Sequence, residues 1–139
     1  LFRSVGSHIN NTITTFLRRS FIPYLMGFDP LHQFIHESDL ANALNLCLEN
    51  ENISGVYNVT GAGVIPITEV IKILKAHSVP VPHYLAYPVL GVFSIAGIGF
   101  PPHLIDYFRY PVVISDKKLQ KESDYKPQKS LLATFQDLK

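Results

Sequence analysis

The stretch Gln33-Phe34-Ile35-His36-Glu37-Ser38-Asp39-Leu40-Ala41-Asn42-Ala43-Leu44 changes its hydrophobic period partway along. From His32 to His36 it reads as a short strand. Beyond it, Leu40, Ala43, Leu44, Cys47 and Leu48 fall at i, i+3, i+4, i+7 and i+8, the spacing of one helix face. Ser38 or Asp39 is placed to cap that helix, and it stops near Asn50 to Asn52. Downstream, Val56 to Val59 lies between Gly55 and Gly61 and is rich in strand formers. Ile67, Val70, Ile71 and Leu74 then mark a second amphipathic helix, with Thr68 as its start signal. The order strand, helix, strand, helix predicts an α/β domain.

Working outward, residues 8–19 form a predicted helix ending in Arg18 and Arg19, cations suited to a helix C-terminus. Ile22 to Phe28 reads as extended and is closed by Gly27, Asp29 and Pro30. On the far side, Tyr84 to Pro102 contains no charged residue. Pro88, Gly91, Gly97, Gly99, Pro101 and Pro102 interrupt it, so the expectation is a buried, partly helical core segment, not a membrane span. Pro111 to Ile114 reads as a short strand and Lys117 to Lys121 as a helical turn. Ser130 to Leu138 closes the chain as a helix with Leu131, Leu132, Phe135 and Leu138 inward.

A chain of 139 residues is one domain's worth. Its 47% apolar and 17% charged composition excludes a disordered chain. The net charge of +1 excludes a nucleic-acid binder that works by bulk charge. Residues 1–70 carry three basic and six acidic groups, or −3, and residues 71–139 carry nine and five, or +4. Asp116, Glu122 and Asp124 interleave the lysines of the second half, which marks a solvated face. A lone cysteine, Cys47, leaves no internal disulfide and points to a reducing, cytoplasmic compartment. The chain begins at Leu1 and shows no signal peptide, and it is expected to be a piece of something longer.

Motifs that could carry chemistry are all incomplete. His32 and His36 lie on a strand-like run, where four residues span roughly 13 Å, too far to share one metal ion. His36-Glu37-Ser38-Asp39-Leu40 begins like H-E-x-x-H but ends in leucine. Gly61-Ala62-Gly63 follows a predicted strand, yet lacks the third glycine of a phosphate-cradling loop and reads as a turn. Tyr125 and Lys129 have the Y-x-x-x-K spacing that puts a phenol and an ammonium one helical turn apart. Pro127 between them argues against the helix that spacing requires. Cys47 sits on an apolar helix face as a buried thiol. No catalytic, cofactor-binding or metal-ligating residue is expected in this chain.

Segment 33–44 resembles the strand-to-helix "F-[IV]-H-x-x-D-[LV]-A-x-A" signature of the extended short-chain dehydrogenases/reductases, the NAD-dependent epimerase/dehydratase family. Gly55-Val56-Tyr57-Asn58-Val59-Thr60-Gly61 is similar to that family's "G-x-[YF]-N-[VI]-x-G" segment, and Ile67-Thr68-Glu69-Val70-Ile71 to the helix start that follows. Ser115-Asp116-Lys117-Lys118-Leu119 with Tyr125-Lys126-Pro127 resembles its near-terminal "D-x-S-K-x-x-x-x-L-G-[WY]-x-P" segment, with Ser123-Asp124 where Leu-Gly is usual.

The resemblance implies the C-terminal portion of a Rossmann-type NAD(P)-binding fold with its small substrate-binding lobe. Residues of about 32–62 would complete the Rossmann sheet and about 63–139 would form the lobe. In the family, the glycine-rich dinucleotide loop and the Tyr-x-x-x-Lys lie in the N-terminal half. The intact parent is thus expected to be an enzyme using NAD or NADP on a nucleotide sugar or a related hydroxyl-bearing substrate. A non-catalytic binding module and a stand-alone α/β interaction domain are the alternatives. Expected partners are a small-molecule substrate, the chain's own N-terminal half and a second copy covering exposed faces. His32 stands where the resemblance implies an arginine touching a substrate diphosphate, and histidine is a weaker, pH-dependent phosphate partner. Asn11, His32 and Arg109 are the expected substrate-binding residues.

Overall fold

The computed structural model describes residues 4–88, 105–106 and 108–138. Strand β1 (Ser4–Val5) leads through a loop into helix α1 (Thr12–Leu17). The Asn11 side chain accepts from the Thr14 N–H at 2.8 Å, and Thr14 Oγ1 accepts from the Asn11 N–H at 2.9 Å. This reciprocal cap starts the helix later than position 8. Arg18 forms the C-cap and donates back to the Gly6 and Ser7 carbonyls and to Asn10 Oδ1. The loop before α1 is thereby folded onto the helix end.

Next come β2 (Phe21–Met26), β3 (Leu31–His32), β4 (Ile35–His36) and α2 (Glu37–Glu49). After an irregular stretch follow β5 (Ile65–Pro66), α3 (Ile67–Ile73) and β6 (His77–Pro82). Residues 83–88 are helical, and α4 (Lys117–Glu122) and α5 (Leu131–Gln136) complete the described elements. The strands form three two-stranded ladders. β1 runs parallel to β4, and β2 runs parallel to β6 from Phe21↔His77 to Met26↔Pro82. β3 pairs antiparallel with β5, while His32 also bridges Val112. Pro80 and Pro82 lie on β6, whose outer side carries no strand among the described residues, the position where a missing N–H is tolerated.

Three sequence expectations change here. The run His32–His36 is two strands with different partners, broken at Gln33 and Phe34, because the buried Phe34 turns into the core. Val56–Val59 joins no ladder among the described residues. Side chains hold that segment instead: Asn58 Nδ2 donates to the Ser115 carbonyl at 3.1 Å, and the Tyr125 hydroxyl donates to the Thr60 carbonyl at 2.7 Å. Strand propensity without a neighbouring strand makes no sheet. Of Pro111–Ile114, Val112 alone forms a bridge. Tyr84–Pro102 lies outside the described residues beyond position 88.

Helix α2 begins at Glu37, so its cap is His36, whose Nδ1 accepts from the Ser38 N–H at 3.1 Å, and neither Ser38 nor Asp39. Its apolar stripe is only partly covered. Ala43 is buried and Leu46 and Cys47 are half-buried, whereas Leu48 is 82% exposed and Leu44 lies open beside it. The α3 pattern is buried throughout at Ile67, Val70, Ile71 and Leu74. These join Ile22, Phe34 and Phe135 in the main core. In α5, capped by Ser130, Phe135 and Leu138 point inward but Leu132 faces solvent, one position round the helix from Leu131. A second cluster of Ala43, Leu119 and Tyr125, with Cys47 and Tyr57 against it, ties α4 to α2.

Candidate functional site

β3 places His32 between Ile65 on one side and Val112 on the other. The imidazole is 3% exposed and its edge meets Phe34 at 6.3 Å and Phe108 at 6.5 Å between ring centroids. Phe108 packs in turn on Phe16 of α1 at 5.2 Å. The next residue, Arg109, sets its guanidinium between the rings of Phe28, at 5.4 Å, and Tyr110, at 5.6 Å. Its Nη1 is 3.8 Å from Asp106 Oδ1, and its buried Nε has no hydrogen-bond partner among the described residues.

Phe28 is held by the turn that carries it. Asp29 accepts from the Thr68 N–H at 3.3 Å and from the Thr68 hydroxyl. That carboxylate caps α3 from outside, since Pro66 at the helix N-cap has no capping side chain. Thr68 marks the helix start as the donor to this remote cap. His83 adds an edge contact to Phe28 at 5.9 Å, and Tyr84 adds one to His83 at 5.8 Å. Two rings, Phe28 and Tyr110, thus meet the guanidinium, and His83 and Tyr84 extend the ring contacts outward from Phe28. Of the three expected residues, His32 and Arg109 share this cluster through Phe108. Asn11 is engaged in the α1 cap, with its Nδ2 donating to the Ser4 carbonyl at 2.9 Å.

A second constellation surrounds the start of α2. Glu37 accepts from the His8 N–H at 3.2 Å and from the Ser7 hydroxyl at 3.3 Å. Asp39, 1% exposed, accepts from the Gln128 and Lys129 N–H groups at 3.0 and 3.2 Å. His36 Nδ1 meets the Ser38 hydroxyl at 2.7 Å and its Nε2 lies 3.2 Å from Asp137 Oδ2. Lys129 Nζ donates to the same carboxylate at 2.9 Å, which holds the Asp137 carboxyl below its ordinary range, with the His36 contribution smaller. Three side chains in one helical turn thus fasten the loop after β1, the turn before α5 and the end of α5.

Tyr125 and Lys129 do not act as a pair: the phenol goes to Thr60 and the ammonium to Asp137. Burial pushes the Tyr125 phenol well above its usual range, and the charges of Asp39 and Asp116 add to this. A proton-transfer tyrosine needs the opposite shift. Gly61 serves packing, since a Cβ there would stand 2.1 Å from the Phe34 carbonyl oxygen. Gly63 adopts φ +76°, a turn conformation. Among the described residues no three His, Cys, Asp or Glu side chains gather to hold a metal ion, and no helix is long and apolar enough to cross a membrane. Sequence reasoning missed Phe28, Glu37 and Asp39 as organising residues. One signal was present: Asp39 lies four residues from Ala43 on the buried side of α2, an acid that must find donors.

No protein-family model matches the chain. Uncharacterized proteins of Mycobacterium bovis and Mycobacterium tuberculosis are 23% identical over 144 residues, covering 99% of the chain. An uncharacterized protein of Sinorhizobium fredii is 30% identical over 120 residues, covering 78% of it. The chain spans 36% and 29%, respectively, of the length of these curated relatives. Among solved structures, UDP-glucuronic acid 4-epimerase from Bacillus cereus, in complex with NAD, superposes with a TM-score of 0.67 at 12% identity. It covers 96% of this chain and 40% of the enzyme. dTDP-glucose 4,6-dehydratase from Bacillus anthracis, in complex with NAD, gives 0.63 at 16% identity, covering 97% and 40%. The Bordetella bronchiseptica enzyme WbmG, in complex with NAD and UDP, gives 0.62 at 18%, covering 97% and 39%. The α/β fold of the chain is that of part of the Rossmann-type NAD-binding epimerases and dehydratases.

Proposed function

We propose that the chain is the C-terminal, substrate-side part of an NAD(P)-dependent epimerase/dehydratase-like oxidoreductase acting on a nucleotide sugar or a related hydroxyl-bearing substrate. The observation that carries this reading is the segment 33–44. Its family-like residues are those that fasten the chain together, within a fold that overlays a nucleotide-sugar epimerase over 96% of its length. In this reading, residues of about 32–62 belong to the nucleotide-binding sheet and 63–139 to the substrate lobe, with α4 returning onto α2. Arg109 contacts the substrate, His32 backs the site wall, and Asn11 holds the loop at its mouth.

NAD or NADP would supply hydride chemistry to the intact protein. Gly61-Ala62-Gly63 does not fit a dinucleotide cradle, because Gly61 is closed over by the Phe34 carbonyl. The cofactor is therefore assigned to the N-terminal half, and no residue of this chain is given a role in holding it. The exposed Leu44 and Leu48 of α2 are surface that this half, or a second copy, would cover.

Reading the coding DNA upstream of the Leu1 codon tests the proposal. An open frame with a glycine-rich strand–turn–helix and a Tyr-x-x-x-Lys is the expected result. A frame with the fold but a degraded Tyr-x-x-x-Lys would leave a binding module. A start codon immediately before Leu1 would overturn the enzyme reading.

A further inference from the structure

Resting on the reading of Arg109 as a substrate contact, we infer that Asp29 is a positioning residue for that guanidinium, acting through Phe28 and the start of α3. Arg109 is poorly fixed by its own segment. Its N–H donates to the Asp106 carbonyl at 3.2 Å and that of Tyr110 does the same at 3.0 Å, so Asp106, Arg109 and Tyr110 belong to one turn. Asp106 Oδ1 stands 3.8 Å from Nη1, beyond hydrogen-bond range. The Tyr110 ring, 5.6 Å from the guanidinium carbon, is itself exposed. The Phe28 ring, at 5.4 Å, comes from another part of the chain and packs partly buried against the main core. A guanidinium is planar and recognises oxygens through a fixed fork, so the ring that sets its plane bears on what it can bind.

Phe28 is placed by the turn around it. Its N–H donates to the Leu25 carbonyl at 3.2 Å. Before it, Gly27 adopts φ +82° and a Cβ there would meet nothing within 4 Å, so no packing holds that residue. After it, Asp29 reaches α3, where its carboxylate accepts from the Thr68 N–H at 3.3 Å and from the Thr68 hydroxyl. Lys72, further along α3, attracts the same carboxylate, but its ammonium is bonded to Glu69 at 2.6 Å and that pair is the stronger. The anchorage therefore runs from Thr68 to Asp29, to Phe28 and to Arg109. Both Thr68–Asp29 bonds lie at the surface, where water competes and little stability is gained; what they supply is a defined place for the ring.

The test uses protein expressed from its complete natural reading frame and isotopically labelled at arginine nitrogen. The Arg109 Nε–H resonance is identified by its loss in Arg109→Lys, and the rings of Phe28 and Tyr110 displace it from the positions of exposed arginines. In Asp29→Ala it is expected to shift toward those positions. In Asp29→Asn, which keeps an oxygen for the Thr68 N–H, it is expected to stay near its wild-type place, and Lys72→Met should leave it unmoved. Thr68→Val, which deletes the hydroxyl donor, should repeat the shift to a smaller degree and decides where Asp29→Ala does not fold. UDP-glucose, titrated calorimetrically, is expected to bind at least about tenfold more weakly to Asp29→Ala and less than about threefold more weakly to Asp29→Asn. A resonance that keeps its place in folded Asp29→Ala overturns the inference even if the urea midpoint falls, since that is the mark of a purely structural role. An equal shift in Asp29→Asn or in Lys72→Met overturns it too, by making the effect one of charge. So does UDP-glucose binding that Arg109→Ala abolishes and Asp29→Ala leaves intact. If the wild type does not bind UDP-glucose, or Arg109→Ala binds it as tightly, the substrate role of Arg109 fails on its own ground and the resonance alone decides whether Asp29 places the guanidinium.

Discussion

Replacing Asp39 by alanine removes the acceptor of two backbone N–H groups, those of Gln128 at 3.0 Å and Lys129 at 3.2 Å. A hydrogen bond to a charged acceptor is worth roughly 1.5–3 kcal/mol. The acid in the first turn of α2 adds roughly 0.3–1 kcal/mol through the helix dipole. Gln128 is exposed and Lys129 half-buried, so water recovers part of what their N–H groups lose, while nothing refills the site of the buried carboxylate. The expected cost is about 2–4 kcal/mol, a large share of a typical domain's stability. Asp39→Asn keeps the shape but offers one oxygen and turns an N–H toward an N–H, so it should cost at least half as much. Urea denaturation followed by circular dichroism measures both, with the m-value checking that the unfolded state is unchanged. Leu48→Ala on the same helix is the control and should stay within about 0.5 kcal/mol, since Leu48 is 82% exposed. A loss below about 0.5 kcal/mol for Asp39→Ala at constant m would refute the view that this carboxylate fastens the 125–129 turn. Amide exchange gives a local check: the Gln128 and Lys129 protons should exchange faster in the variant while those of α3 do not.

Three further outcomes are expected. Gly61→Ala should cost at least about 2 kcal/mol, because its Cβ meets backbone that cannot rotate away, whereas Gly63→Ala should cost about 1 kcal/mol for its left-handed φ alone; thermal melts separate the two. Tyr125→Phe should cost about 0.5–1.5 kcal/mol at neutral pH by losing the bond to Thr60. Because the folded phenol titrates above its ordinary 10.0, the stability it contributes is present below that pH and is lost as pH rises through the folded value. Tyrosinate absorbance should accordingly lose its most alkaline step in Tyr125→Phe. Asp137 carries the opposite sign. Lys129 lowers its pKa below 3.8, so its contribution is present above that pH and is lost as pH falls through the folded value. Asp137→Asn should flatten the acid limb of a stability–pH curve, and an unchanged limb would remove the Lys129–Asp137 bond from the account.

Helices were legible where they bury a periodic face. Ile67, Val70, Ile71 and Leu74 name α3 because all four are needed to fill one core. The rule weakened on α2, where Leu40, Leu44 and Leu48 predict the helix correctly but not its buried side. Of the predicted stripe Ala43 alone is fully buried, and it shares that side with Asp39, an acid that a hydrophobicity count ignores. Strands were less legible. Val56–Val59 has strand composition, but ladders depend on a neighbour that composition does not report. The site was partly legible. His32 and Arg109 are brought together by Phe108, which links them in space and gives no sign of it in spacing. Phe28 was invisible because its role depends on Asp29 reaching Thr68 across 39 residues.

The same comparison explains why a chain can carry a family-like signature without a catalytic constellation among its described residues. His36 at the N-cap and Glu37 and Asp39 in the first turn of α2 each reach a different distant segment. Such a turn works only if the helix starts at a fixed residue. The His36 cap ensures this by accepting the Ser38 N–H and keeping its other nitrogen for Asp137. The cap requires Nδ1 as acceptor, which leaves Nε2 3.2 Å from Asp137 Oδ2, a close charge contact without hydrogen-bond geometry. His36→Asn would retain the cap and lose the tie to Asp137. The physical reading thus separates two histidines in one short segment: His36 caps α2, and His32 is buried against the rings of Phe34 and Phe108.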